Sequence, residues 1–140
     1  MRHIKEDGFI LEVLYKVKEV LLISFGAAFG VNIRFIVYNL LDNKKLSNSL
    51  IIFLINILSS FFLGLCVSLL SQIHSLIYSY ELALFFSIGL LGSLSTFSTF
   101  IYDLYYLCIQ LKFFRAFKLF TISLISGILF FAVGFYLGMQ

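Results

Sequence analysis

Four long apolar stretches, separated by short polar segments, dominate the pattern of this chain. They cover about residues 21–41, 46–70, 81–111 and 119–137. The short basic segment of residues 112–118, between the last two stretches, is predicted to be a turn. Each of the four stretches is long enough to cross a hydrocarbon core, which takes roughly 20 helical residues. Inside a bilayer the backbone must satisfy its own hydrogen bonds, so the spans are predicted to be helices. The pattern therefore predicts an all-α membrane protein, with four transmembrane helices forming a single domain over residues 21–140.

The first 20 residues have a different pattern, in which charged residues alternate with apolar ones. Ile10, Leu14 and Val17 would share one side of a helix, with Glu12 and Lys16 between them. This arrangement is typical of an amphipathic helix that lies in the membrane interface. Residues 1–20 are therefore predicted to form a separate N-terminal interfacial segment.

Composition narrows the class of protein further. Of the 140 residues, 61% are hydrophobic and only 12% are charged, with a net charge of +3. Soluble domains contain about a quarter charged residues. The small charge argues against nucleic-acid binding. No Ser-His-Asp arrangement, metal-ligand cluster or phosphate-binding loop is visible in the sequence, so no enzymatic activity is expected.

The distribution of basic residues bears on membrane orientation. With four spans, the N-terminus, the second loop and the C-terminus share one side, which carries four Lys and Arg residues. The other side carries five, namely Lys44, Lys45, Lys112, Arg115 and Lys118. An excess of Lys and Arg normally sets orientation. The nearly equal numbers of Lys and Arg on the two sides fit insertion in both orientations and an antiparallel dimer. The alternative is that the count is too small to determine the orientation.

The third span contains the most informative segment, residues 89–100, which is rich in Gly, Ser and Thr and ends in two Phe. Gly89 and Gly92 favour a break in the helix. A break would free carbonyls for a monovalent cation, and a half-helix N-terminus favours an anion. Phe97 and Phe100 would share one face, where ring edges can meet an anion. The alternative is ordinary packing, with hydroxyls bonded to the preceding turn.

Polar residues also interrupt the first two spans. Gly26 and Gly30 are predicted to allow close helix packing. Arg34 either faces a polar cavity or extends to the interface. Asn56, with Ser60 one turn later, either joins helices or donates its amide hydrogens to an anion.

The absence of acidic residues from the span centres separates the candidate functions. Asp103 lies nearest, two turns beyond the Ser/Thr segment. An exporter of cationic drugs would need a membrane carboxylate to exchange protons. A small multidrug exporter and a non-conducting membrane scaffold remain as alternatives to an anion pathway.

Three motifs together resemble the CrcB/Fluc family of fluoride channels. They lie at residues 26–35, 56–64 and 92–100, and the last is similar to Gly-Gly-x-Thr-Thr-Phe-Ser-Thr-Phe. The resemblance covers most of the chain. It implies a multi-pass protein of the cell membrane that exports fluoride passively. It also implies an antiparallel, dual-topology dimer with two pores, formed by two copies or with a paralogue.

The resemblance also implies residue roles along the fluoride path. The ring edges of Phe97 and Phe100 would line the path, and the Asn56 amide would donate to the ion. Thr99 and Ser123 would supply hydroxyl groups.

Other roles implied by the resemblance are structural. Gly92 and Ser95 would offer backbone carbonyls to a structural sodium ion at the dimer interface, and Arg34 would support the pore vestibule. The chain departs from the family pattern at Ser59, where Gly is usual, and at Ile52, where a hydroxyl residue is usual.

Overall fold

The computed structural model describes residues 2–42, 47–72, 78–95 and 97–140, with side chains from Phe9 onward except that of Phe97. The described residues are helical apart from short turns, which confirms the all-α class. The elements are helices α1 (Arg2–Asp42), α2 (Asn48–Gln72) and α3 (Ser79–Ala83), a π-helical segment (Leu84–Leu91), and helices α4 (Gly92–Leu94), α5 (Phe97–Ile109) and α6 (Phe113–Gly138).

Four helical stretches are long and apolar enough to cross a membrane, which confirms the predicted number of spans. They are Phe9–Asp42, Asn48–Gln72, Ser79–Ile109 and Phe113–Gly138. The basic segment of residues 112–118, predicted to be a turn, is mostly helical, so that prediction was wrong. The chain reverses within Gln110–Lys112 because Leu111 adopts a left-handed φ of 56°.

Helix α1 runs without interruption through the predicted interfacial segment and the first span. Its 41 residues correspond to about 61 Å, twice the thickness of a hydrocarbon core. The Lys18 Nζ lies 2.6 Å from Glu81 Oε1, and the Tyr80 hydroxyl donates to Glu19 Oε1 at 2.9 Å. These contacts place residues 18 and 19 level with the start of the third span. An interfacial position for the preceding residues stays a prediction.

Glycines allow the closest helix contacts, as predicted for Gly26 and Gly30. A Cβ at Gly26 would overlap the Phe85 carbonyl oxygen of the π-helical segment, and one at Gly30 would overlap that of Leu90. The backbones of α1 and the third span therefore touch directly, and small residues make such an approach possible.

A second close pair joins α2 to α6. A Cβ at Gly64 would overlap the Phe131 carbonyl oxygen, and a Cβ at Gly134 would overlap that of Phe61. This reciprocal contact fixes the spacing and relative height of the two helices. It also sets which faces of α2 and α6 are left to border the remaining space.

The third span departs from α-helical geometry in two places. The π-helical segment precedes Gly92, and Ser95 then has φ −71° and ψ 144°, an extended conformation. The sequence favoured a break within residues 89–100, assisted by Gly89 and Gly92, and a complete break of the span stays a prediction; the two glycines themselves lie within helical segments. Gly89 serves packing instead, since a Cβ there would lie 2.7 Å from the Ile23 carbonyl oxygen.

Candidate functional site

Three predicted site residues line one small cavity between α2, α5 and α6. The cavity has a volume of about 180 Å³, and its lining includes Asn56, Phe100 and Ser123. Ser60 contributes a second hydroxyl from the next turn of α2, and Phe120 adds a second ring from α6. Hydroxyl, amide and aromatic side chains thus border a space large enough for a small ion.

A second cavity, of about 250 Å³, lies beside the first and includes Arg34, Tyr38, Asn56 and Thr99 in its lining. Arg34 is half-buried, which favours the interpretation that it faces a cavity. Asn56 is the residue common to both linings. Its side chain therefore lies at the border between the two spaces.

Packing of α2 determines the direction of Asn56. Ile51 and Ile55 are buried against Leu91 and Leu94 of the third span. Because these residues, five and one positions earlier, face the core, Asn56 lies at the border of the core rather than in its centre. The side chain is half-buried, as expected for a residue between apolar packing and a cavity.

The two residues that depart from the family pattern, Ser59 and Ile52, are both buried. Ser59 is 3% exposed, and its hydroxyl donates to the Ile55 carbonyl oxygen at 2.8 Å. The extra hydroxyl is thereby satisfied within α2. Ile52 is 6% exposed and borders the larger cavity, so an apolar wall stands where the family usually has a hydroxyl.

The orientation of Phe100 depends on a neighbouring ring. The centroids of Phe100 and Phe120 lie 6.5 Å apart, with the ring planes at 30°. Such near-parallel, offset pairs are favourable aromatic contacts. Sequence reasoning missed Phe120, although its spacing of three residues from Ser123 places both on one face of α6.

The remaining predicted site residues are Phe97, Gly92 and Ser95. The side chain of Phe97 lies outside the described residues. Gly92 and Ser95 do not occur among the described residues that line either cavity. Gly92 is exposed, and its carbonyl accepts a long 3.4 Å hydrogen bond from the Ser95 hydroxyl.

The chemistry of the two cavities favours an anion. Among the described residues that line them, Arg34 carries the only charge and no carboxylate is present. Asp103 is half-buried on α5 away from both linings. Neutral donors and one guanidinium stabilise negative charge, whereas a site for cationic drugs would need a carboxylate.

Comparisons with known proteins agree with this chemistry. Residues 21–135 match the family described as "CrcB-like protein, Camphor Resistance (CrcB)". The chain is 52% identical over 122 residues to "Fluoride-specific ion channel FluC 2" of Prochlorococcus marinus (strain NATL2A), covering 87% of this chain and 98% of that protein. It is 34% identical over 119 residues to "Fluoride-specific ion channel FluC 1" of Methanosarcina acetivorans, covering 85% and 86%.

Proposed function

Because the chain belongs to the CrcB-like family, we propose that it is a fluoride-selective channel that lets fluoride leave the cell passively across the plasma membrane. The names of the relatives support fluoride as the ion. The observation that carries the proposal is the single cavity around which Asn56, Phe100 and Ser123 meet. That cavity offers donors and an aromatic ring without a carboxylate.

Selectivity would arise from how these groups replace water around the ion. Fluoride is small and strongly hydrated, so a pore must supply donors that compensate for the lost hydration, as filters do for other ions. The Asn56 amide and the Ser123 hydroxyl are donors. The positive edge of the Phe100 ring adds a weaker attraction where water is scarce. A cavity of this size would disfavour larger anions through the geometry of the donors.

The two cavities would form the route of the ion. An anion would first meet Arg34 and Thr99 in the larger cavity, where the guanidinium raises the local anion concentration. It would then pass Asn56, which borders both spaces, and reach Phe100 and Ser123. No step along this route requires a covalent bond or a proton exchange.

The membrane potential would supply the driving force. Hydrogen fluoride crosses bilayers as a neutral acid and releases fluoride in a near-neutral cytoplasm. An inside-negative potential then drives each anion outward by about 2.3 kcal/mol per 100 mV. Export therefore needs an open path and no chemical energy source.

We also infer that the channel is an antiparallel, dual-topology dimer. Large apolar side chains are exposed along α1 and α6, among them Phe25, Phe29 and Phe130, and lipid or a second copy can cover them. The numbered names of the relatives leave pairing with a paralogue as the alternative to a homodimer.

The interrupted third span would hold a structural sodium ion at the dimer interface. Neutral backbone oxygens suit a hard monovalent cation, and the extended Ser95 turns its carbonyl out of the helical direction. Gly92, which is exposed and lies three residues before Ser95, would offer the other carbonyl. When bound, the ion would supply fixed positive charge; among the described residues, no group of three or more His, Cys, Asp or Glu could hold a metal.

Fluoride efflux from liposomes that contain only this purified chain tests the proposed function. We expect rapid fluoride release when a potassium ionophore sets the potential, and chloride release at least 100-fold slower, since donor geometry separates the ions. An ion-selective electrode measures both. Equal rates for the two halides would refute selectivity for fluoride. Proton-coupled efflux of a cationic dye without any fluoride flux would favour a cation exporter.

Replacement of Phe120 by alanine tests whether the ring pair positions Phe100. We expect fluoride efflux to fall about tenfold, because an aromatic pair contributes about 0.5–1.5 kcal/mol. Phe117→Ala on the same helix removes an exposed ring that does not line either cavity and should leave efflux unchanged. Equal losses in the two variants would indicate a general effect on α6.

A further inference from the structure

The N-terminal end of α6 carries a cluster of basic and aromatic side chains. Three cations and three Phe lie within seven residues, namely Lys112, Phe113, Phe114, Arg115, Phe117 and Lys118, here called the α6 basic cluster. The cations recur every three residues and so share one side of the helix. The rings of Phe114 and Phe117 are 82% and 68% exposed. A surface of this kind is neither buried in the protein nor part of the two cavities.

Within the described part of the chain, the cations of the α6 basic cluster have no acidic partners. On the opposite side of the predicted membrane, Lys16 and Lys18 each pair with a glutamate, at 2.8 and 2.6 Å. Among the residues that the structure describes, Arg115 and Lys118 have no carboxylate within ion-pair distance, and Lys112 donates only to the neutral Gln110 amide oxygen at 2.6 Å. Arg115 and Lys118 therefore differ in ion pairing from Lys16 and Lys18.

The helix itself adds to this positive potential. The first turn of α6 contains no acidic residue, and Lys112 at the N-cap makes no side-chain capping bond. Cations near a helix N-terminus face the positive end of the macrodipole and are destabilised. An external anion would relieve the repulsion among the cations and the helix end.

The length of α6 places the cluster at the depth of lipid headgroups. Its 26 residues span about 39 Å, whereas the hydrocarbon core takes about 30 Å. If Gly138 lies at one boundary, roughly six residues at the other end extend beyond the core. The tight turn at Leu111, in which Lys112 N–H bonds to Leu107 O at 3.0 Å, keeps the cluster close to the end of α5.

We propose that the α6 basic cluster binds the phosphate headgroups of anionic phospholipids. Arg115 presents a planar guanidinium that matches phosphate oxygens in two contacts, and Lys112 and Lys118 contribute point charges. The exposed Phe rings lie along the glycerol and upper acyl region, where aromatic residues favour the interface. Charge complementarity selects anionic over zwitterionic lipid, which an apolar surface alone would not do.

Lipid titration of the detergent-purified full chain tests the proposal without any measurement of ion flux. Phosphatidylglycerol, phosphatidylcholine and inorganic phosphate are added separately, and bound lipid is counted by native mass spectrometry alongside the thermal midpoint. We expect phosphatidylglycerol to bind and to raise the midpoint well above the effect of phosphatidylcholine. In Lys112→Gln/Arg115→Gln/Lys118→Gln, its affinity should fall roughly 100-fold, since each basic residue near an anionic surface contributes about fivefold.

The control variant Arg2→Gln/Lys5→Gln/Lys16→Gln removes the same charge from the opposite side and should keep wild-type lipid binding. Arg115→Gln alone, with an expected fivefold loss, serves if the triple variant fails to fold. Equal binding of the two lipids, or equal losses in both triple variants, would overturn the proposal. If inorganic phosphate had the same effect as phosphatidylglycerol, the cluster would be a site for free anions, and the proposal would be wrong. If the three substitutions changed the oligomeric mass without added lipid, the cluster would be a protein interface, and the proposal would again be wrong.

Discussion

Asn56→Asp should lower fluoride efflux from proteoliposomes by about three orders of magnitude. The substitution keeps the size of the side chain but places a carboxylate where both cavities meet. Two negative charges about 4 Å apart repel by about 4 kcal/mol at an effective dielectric constant of 20. A barrier raised by that amount slows passage roughly 1,000-fold. A fluoride electrode measures the initial rate, normalised to the amount of folded protein.

Asn48→Asp provides a matched control for this substitution. Asn48 is exposed at the first position of α2, where an acidic side chain is favoured by the helix dipole, and efflux should remain at the wild-type rate. Asn56→Ala removes the amide donor without adding a charge, so it separates the loss of the donor from charge repulsion. We expect its fluoride efflux to lie between that of the wild type and that of Asn56→Asp. If Asn56→Asp conducts within tenfold of the wild type, the ion does not pass this side chain.

Gly134→Ala should remove most of the stability of the four-helix unit. A Cβ at this position would overlap the Phe61 carbonyl oxygen and would lie 2.9 Å from the Phe61 carbonyl carbon. Both obstacles are backbone atoms of α2, so no side-chain rotation can relieve them. The two helices must separate, and Gly64 would then lose its own close contact with Phe131. Overpacking of this kind costs about 3 kcal/mol.

Gly127→Ala on the same helix is the control for Gly134→Ala. A Cβ there would lie 3.6 Å from Ser60 Oγ, an ordinary contact, and alanine favours a helix by about 1 kcal/mol over glycine. Thermal unfolding in detergent, followed by circular dichroism, should show a large fall for Gly134→Ala and little change for Gly127→Ala. Similar midpoints for the two variants would show that the α2–α6 contact is looser than the structure indicates.

Predictions from the sequence succeeded where a property depended on local pattern. Apolar runs of sufficient length predicted four spans, and the small residues Gly26 and Gly30 predicted close packing. These features follow from the spacing of residues along the chain and from bilayer thickness, so they can be predicted without knowing which helices are neighbours. The same rules misplaced the start of the fourth span, because basic residues at residues 112–118 were read as a loop although they continue the helix beyond the core.

The tertiary structure was needed to show that Gly89 serves helix packing and that Ser95 departs from helical geometry. Glycine both weakens a helix and permits close contact, and the sequence alone does not separate these effects. Contact with α1 assigned Gly89 to packing, and the extended conformation lies at Ser95, within the segment where the sequence favoured a break. Phe120 was likewise missed, because its role depends on a ring contributed by another helix.

The sequence by itself determined that the chain is an all-α, four-span membrane protein without a carboxylate at any span centre, and its motifs indicated the family. Only the tertiary structure decided that Asn56, Phe100 and Ser123 border one cavity, and that Asn56 and Arg34 share a second. It also decided that Arg115 lies in a cluster with no acidic partner among the residues that the structure describes. The physical reason is that hydrophobic length is a property of consecutive residues. A site depends on the rotation and height of separate helices, which backbone contacts at a few glycines set.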